Sequence, residues 1–154
     1  MSDEQYMREA VELARTNVNA GGLPFGAVLV RDGQIVARGV NEVCATHDPT
    51  AHAEMQAIRQ ASHRLATPDL SGAVMYASGH PCPMCFAAMA RCGIRTAYFA
   101  YSNDDGEPFG MSTAAMYEAM RGAPAAPVAG ALRLSALKPA GEQGLYEAWL
   151  ERQS

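Results

Sequence analysis

Lysine is almost missing from this sequence: Lys138 is the only one in 154 residues, the arginines are scattered, and the formal net charge is -4. Such a chain has no general attraction for polyphosphate, which counts against a nucleic-acid partner and favours a small, neutral substrate. Long apolar runs are missing too. No stretch approaches the ~20 residues that cross a bilayer as a helix, so no membrane role is expected. The opening Met1-Ser-Asp-Glu-Gln-Tyr6 lacks the basic and apolar regions of a secretory signal, and the expected location is cytoplasmic. Cysteine is sparse, with four residues, two of them in Cys82-Pro83-Met84-Cys85. In a secreted domain four cysteines can form two disulfides, but in the cytoplasm this spacing points to metal or redox chemistry. There is no internal repeat and no low-complexity linker, so residues 1–154 are expected to form a single domain with one core.

What is present orders itself into an α/β chain. Ser2, with Gln5 in the capping-box position, opens a helix whose apolar face is Tyr6, Ala10, Leu13, Ala14 and Val18, stopped by Gly21-Gly22. Phe25 to Val30 and Ile35 to Val40 read as strands joined through Arg31-Asp32-Gly33 into an antiparallel hairpin. A polar loop through Asp48-Pro49-Thr50 precedes a helix from His52 to Leu65. A strand at Ala73 to Ala77, a helix from about Cys82 to Cys92 and a strand at Ile94 to Ala100 follow in βαβ order, which implies parallel neighbours. Beyond a long loop, Tyr101 to Gly110, the spacing predicts a short helix near Thr113 to Met120, a strand near Leu132 to Leu137 and a helix around Gln143 to Glu151. The sum is a three-layer α/β/α sandwich around a mixed sheet of about five strands, with the helix starts at His52 and Cys82 at one sheet edge.

His52, Cys82 and Cys85 supply three ligands, the number a catalytic zinc takes while keeping a fourth position for water. Cysteines three apart at a helix start face the same way, and the helix dipole favours their thiolates. Pro83 suits that start, since a first-turn amide has no intrahelical partner to lose. One Zn(II) per chain, held there, lowers the pKa of a bound water toward neutrality. Glu54, on the same helical turn as His52, is placed to take the water proton and pass it to a ring nitrogen and then to a leaving amine. A lone Cys-x-x-Cys also fits a redox pair or a structural zinc; the preceding His52-Ala53-Glu54 is what makes the joint pattern specific.

His-x-Glu followed by Pro-Cys-x-x-Cys is the signature of zinc-dependent deaminases, and nearly the whole chain resembles the cytidine deaminase superfamily. Within it, the chain is similar to the small bacterial guanine deaminases and their nucleobase-deaminase relatives. The residues carrying the resemblance are Gly22-Leu-Pro-Phe-Gly-Ala-Val28, Asn41, Asp48-Pro-Thr-Ala-His-Ala-Glu54, Pro81-Cys-Pro-Met-Cys85 and Tyr146-Glu-Ala-Trp149. The resemblance implies a cytidine deaminase-like fold, a homodimer and a small-molecule nucleobase or aminoheterocycle as substrate, with guanine first. It also implies that the Asn41 carboxamide holds the base, that Phe25 lies against the ring and that the Ala53 amide binds the carbonyl. An Asn side chain can both donate and accept along a base edge, which agrees with that role.

Two positions depart from the pattern. His80 stands before Pro81-Cys82 where related enzymes carry Glu or Ser, and Ser112 or Thr113 stands where guanine deaminases carry an acidic reader of the purine edge. Asp104, Asp105 and Glu107 are candidates for that missing carboxylate, and Pro81 and His80 for further substrate contacts; His80 equally suits a loop histidine satisfying a backbone group. His47 and His63 fall at no ligand spacing and are expected at the surface. Cys44 and Cys92 read as small buried hydrophobes. Two other functions remain open: a transfer RNA adenosine deaminase, disfavoured by the acidic loop Tyr101 to Glu107, and a non-catalytic zinc module in which Glu54 has no task.

Overall fold

The two hairpin strands, β1 (Gly26–Arg31) and β2 (Gln34–Val40), pair antiparallel, and the chain reverses through Asp32 and Gly33, both at positive φ. This two-residue turn matches the right-handed twist of the strands it joins. β1 also pairs antiparallel with β3 (Val74–Gly79), and β3 pairs parallel with β4 (Thr96–Tyr101), giving the order β2-β1-β3-β4. β2, β3 and β4 therefore run in one direction and β1 opposes them. The ends of those three strands and the start of β1 share one edge of the sheet.

The structure is a computed structural model that describes residues 1–121, 138–141 and 143. The chain divides into two units, Met1–Ala119 and Met120–Ser154, and the sheet with its covering helices belongs to the first. The sheet of the described residues has four strands. The strand expected at Leu132 to Leu137 and most of the helix expected from Gln143 lie outside the described residues.

Helix α1 (Asp3–Asn19) begins with the expected capping box, the Ser2 hydroxyl accepting from the Gln5 amide and the Gln5 side chain accepting from the Ser2 amide. It covers one face of the sheet, burying Tyr6 and Ala10 against Val28, Val30 and Tyr76. On the opposite face, α3 (Ala53–Leu65) and α4 (Pro83–Arg91) enclose the larger cluster, with Leu29 and Met75 fully buried beside Ala57, Ala61, Leu70 and Met89. Truncating a fully buried Leu such as Leu29 to Ala typically costs about 2–5 kcal/mol, so this layer carries much of the stability. One helix layer, the mixed sheet and a second helix layer make the expected three-layer sandwich.

Three short elements escaped the hydrophobic pattern. α2 (Val43–Thr46) is four residues long and buries nothing, which leaves Cys44 exposed. The expectation of a buried Cys44 is thereby corrected; one helical turn in a loop has no apolar face to bury. Cys92 is half-buried against the main cluster. The loop after β4 is partly helical, with α5 (Asn103–Gly106) capped by Ser102, a 3-10 turn (Glu107–Phe109), and then α6 (Ala114–Met120).

Candidate metal centre and active site

Both parts of the pattern reach the sheet edge as helix N-termini. His52 is the N-cap of α3 and Cys82 that of α4, each with extended backbone, so their side chains stand at the helix mouths while Glu54 and Cys85 occupy the first turns behind them. Amides of a first helical turn lack intrahelical acceptors and carry positive partial charge, which suits thiolates and a carboxylate. A close approach holds α3 here. A Cβ on Gly39 would lie 2.1 Å from the Ala53 carbonyl oxygen, so only glycine lets the end of β2 touch the start of that helix.

The donor atoms of His52, Cys82 and Cys85 all lie within 4.8 Å of one another. His52 Nδ1 is 3.5 Å from Cys82 Sγ and 3.6 Å from Cys85 Sγ. Zinc bonds of about 2.3 Å to sulfur and 2.0–2.1 Å to nitrogen at a tetrahedral angle put N and S about 3.6 Å apart. The two observed separations meet that value, and two soft thiolates with one imidazole are a donor set for zinc. The residues present therefore fit the metal.

Without a metal the three side chains share protons. The Cys85 thiol hydrogen-bonds Cys82 and, with His52 adding to the effect, draws its pKa down to about 4, against the burial that opposes ionisation. Cys85, the proton donor of the pair, is pushed up by that bond, by burial and by the neighbouring Glu54. The bond to Cys82 raises the His52 pKa above that of an ordinary histidine, burial partly offsetting it. A cation held here takes over the role of these protons.

Glu54 is 5% exposed, and its Oε2 accepts from the Cys85 thiol at 3.3 Å. Burial holds its pKa above the usual carboxylate range. A buried carboxyl whose pKa is raised, next to a group of metal donors, is equipped to take up and release a proton.

Asn41, 6% exposed, directly follows the neighbouring strand β2. Its amide donates to the Phe25 carbonyl at 3.1 Å, and its Oδ1 accepts from the Val43 amide at 3.1 Å. The acceptor half of the carboxamide is thus committed, which turns its NH2 donors the other way. Phe25 sits over Gly79, where a Cβ would come within 2.9 Å of the ring. Ala53 is buried at the first turn of α3. Pro81 is buried and His80 half-buried in the loop before Cys82. Phe25 and His80, with Tyr101, Asn103 and Asp105, line a cavity of about 820 Å³ at the same sheet edge.

The acidic candidates are less directly placed. Asp105 Oδ2 accepts from the Ser102 amide at 2.8 Å and from its hydroxyl at 3.0 Å, capping α5, and Asp104 stands exposed on the same turn. His47 and His63 are exposed, as expected. Sequence reasoning passed over three residues. Asn17 donates from Nδ2 to the carbonyls of Leu23 and Asn41 and ties α1 to the segments before β1 and after β2. The buried Ser78 hydroxyl accepts from the Gly26 amide at 3.0 Å. Tyr117 reaches the metal loop from α6. Only Asn17 left a trace, as a polar residue at the last turn of an amphipathic helix.

A mixed sheet with His52, Cys82 and Cys85 converging at helix N-termini beside a buried Glu54 defines a deaminase of the zinc-binding kind. Residues 1–101 match the model of the cytidine and deoxycytidylate deaminase zinc-binding region, and the chain belongs to that family of C–N hydrolases. It is 41% identical over 119 residues to the guanine deaminase of Bacillus subtilis, covering 77% of this chain and 76% of that protein. A solved structure of a Bacillus subtilis guanine deaminase superposes with a TM-score of 0.87 at 34% identity, covering 98% of this chain and 95% of that one. A solved structure in complex with 2,6-diaminopurine superposes with a TM-score of 0.70 at 34% identity, covering 73% and 63%. The tRNA-specific adenosine deaminase of Aquifex aeolicus is 37% identical over 100 residues, covering 65% of this chain and 66% of that protein. Among the described residues no helix is long and apolar enough to cross a membrane.

Proposed function

We propose that this protein is a zinc-dependent hydrolase that deaminates a free nucleobase or related aminoheterocycle, with guanine to xanthine and ammonia as the first candidate reaction. The observation that carries the proposal is the spacing of His52 Nδ1 from the two cysteine sulfurs, 3.5 and 3.6 Å, with the buried Glu54 carboxyl 3.3 Å from one of them. One Zn(II) per chain, held by His52, Cys82 and Cys85, supplies Lewis-acid activation of water. Glu54 takes the proton of the attacking water and delivers it to the ring nitrogen beside the carbon under attack. It then takes the second proton, from the hydroxyl now on that carbon, and passes it to the exocyclic amine, which leaves as ammonia while the carbon keeps the oxygen. The Asn41 NH2 donors hold the edge of the base, Phe25 covers its face, and the Ala53 amide and the Pro81-His80 loop complete the enclosure.

A free base is favoured over a nucleic acid by the net charge of -4 and by exposed Asp104 and Asp105 beside the site. The 2,6-diaminopurine bound to a structural relative points to purines. Asp105 is engaged in capping α5, Asp104 stands exposed on the same turn, and Ser112 and Thr113 bring no carboxylate to a purine edge. A pyrimidine such as cytosine or isocytosine, or another amino-substituted ring, is therefore the nearest alternative. The exposed aromatic residues of β4, Tyr98, Phe99 and Tyr101, support assembly as a homodimer. A reducing cytoplasm suits ligands that must remain thiols.

An ammonia-release assay on the zinc-loaded protein, run over guanine, other aminopurines, cytosine, isocytosine and unmodified transfer RNA, tests the reading. Turnover of guanine above the other bases is expected. Activity confined to the RNA, or none on any base, would overturn it.

A further inference from the structure

The carbonyl of Pro81 takes no part in β3, and two side chains converge on it. The Tyr117 hydroxyl donates to it at 2.5 Å, and His80 Nδ1 lies 3.0 Å away. A carbonyl only accepts, so in this contact Nδ1 is the donor. The same histidine is fixed from behind, its amide donating to the Tyr101 carbonyl at 2.9 Å. The Tyr117 ring meets His80 edge-on with centroids 5.5 Å apart, and meets Phe86, in the first half of α4, at 6.5 Å. One side chain from α6 thus touches the chain on both sides of Cys82.

The backbone shows why that contact matters. Pro81 and Pro83 each have φ locked by the ring, and each restricts the residue before it to extended backbone. Cys82 obeys, at φ -72 and ψ 168. The freedom left between β3 and α4 lies in ψ of Pro81 and φ of Cys82, the two torsions that turn the Pro81–Cys82 peptide plane. A turn at ψ of Pro81 that is not cancelled by an opposite turn at φ of Cys82 swings the Cys82 Cα and its Cα–Cβ bond, and so moves Sγ relative to His52 and Cys85. The oxygen of this peptide is the atom that Tyr117 and His80 hold.

We propose that Tyr117 is a positioning residue of the metal centre: its hydroxyl, with His80, locks the Pro81–Cys82 peptide plane and so sets the place of the Cys82 sulfur among the three metal donors. The proposal rests on the zinc reading of the site and is independent of which ring is deaminated. Tyr117→Phe removes the hydroxyl and keeps the ring; Phe86→Leu removes a ring contact and keeps the hydroxyl.

Both variants and the parent are loaded with cobalt(II) for absorption spectra, and with zinc for transfer to a coloured chelator. For Tyr117→Phe the tetrahedral cobalt bands shift and weaken, and zinc is held roughly 10–100-fold less tightly, as for the loss of a group that orients a ligand. Phe86→Leu keeps the parent spectrum and retention. Parent-like behaviour of Tyr117→Phe would overturn the proposal, and so would an equal disturbance in Phe86→Leu, which would reduce Tyr117 to packing. A parent that takes up no cobalt would instead overturn the metal reading itself.

Discussion

Cys85 Sγ lies 3.3 Å from Glu54 Oε2, so a candidate metal ligand from α4 and the candidate proton carrier of α3 are in contact. In the proposed reaction that contact would tie the acid–base chemistry of Glu54 to the occupancy of the metal site.

Replacing Glu54 by Ala removes the proton carrier and none of the three donors. Metal analysis is expected to find one zinc per chain as in the parent, while ammonia release slows by roughly a hundredfold or more. Unchanged turnover with zinc bound would return the protein to the class of non-catalytic zinc modules.

Stability of the metal-free protein should move the other way. Burial raises the folded-state pKa of Glu54 above its unfolded value. Between those two values the folded state binds more protons, so this group's contribution to stability falls as pH rises through the window and stays unfavourable above it. Glu54→Gln, neutral at every pH, is expected to melt higher than the metal-free parent at pH 8. The difference should shrink toward pH 4 in a thermal denaturation series.

Zinc uptake should release protons. Cys85 and the His52 ring both hold protons more firmly than usual in the metal-free protein, and both must give way to the metal. Calorimetry in buffers of different ionisation enthalpy should show net proton release near pH 7. Retention should fall progressively below it as His52 reclaims its proton, and a pH-independent affinity between 5 and 8 would contradict this ligand set.

At Asn41 only the acceptor half of the carboxamide is engaged by the Val43 amide, and the proposed reaction gives the base to the other half. Asn41→Asp keeps an oxygen for the Val43 amide and loses both NH2 donors, so fold and zinc content should be retained. KM for the base is expected to rise roughly 10–100-fold, the size of about 1.4–2.7 kcal/mol of lost hydrogen bonding. An Asp variant with parental KM would remove Asn41 from the base-binding set.

The tightest backbone approach gives a structural check. Gly39→Ala sets a methyl against the Ala53 carbonyl oxygen and must push α3 off the sheet, carrying His52 and Glu54 with it. Loss of about 1–3 kcal/mol in denaturant unfolding is expected from such overpacking, together with weaker zinc binding.

Much of this was legible in the sequence because it rests on local rules. The Ser2–Gln5 box, the Asp32-Gly33 reversal and the βαβ spacing around Cys82 each announce themselves within a few residues, and among the described residues the expected strands and helices fall within about two residues of their bounds. The metal donors were legible for the same reason, since each sits at a helix start marked by chain order. α2 was not, because four residues show no period. The Ser102–Asp105 box that starts α5 was present in the sequence, but it opens onto no apolar face and so gave no helical pattern. The contacts of Asn17 with the Asn41 carbonyl and of Tyr117 with Pro81 join positions 24 and 36 residues apart, and no local rule reports such a pairing.

The arrangement of strand ends at one edge bears on how the protein is made. His52 and Cys82 are 30 residues apart in the chain and meet only when β2 and β3 flank β1. A nascent or unfolded chain offers a zinc ion the Cys82–Cys85 pair alone, a weaker and oxidisable dithiol. Assembly of all three donors therefore requires closure of the sheet: until β2 and β3 flank β1, His52 cannot stand beside Cys82.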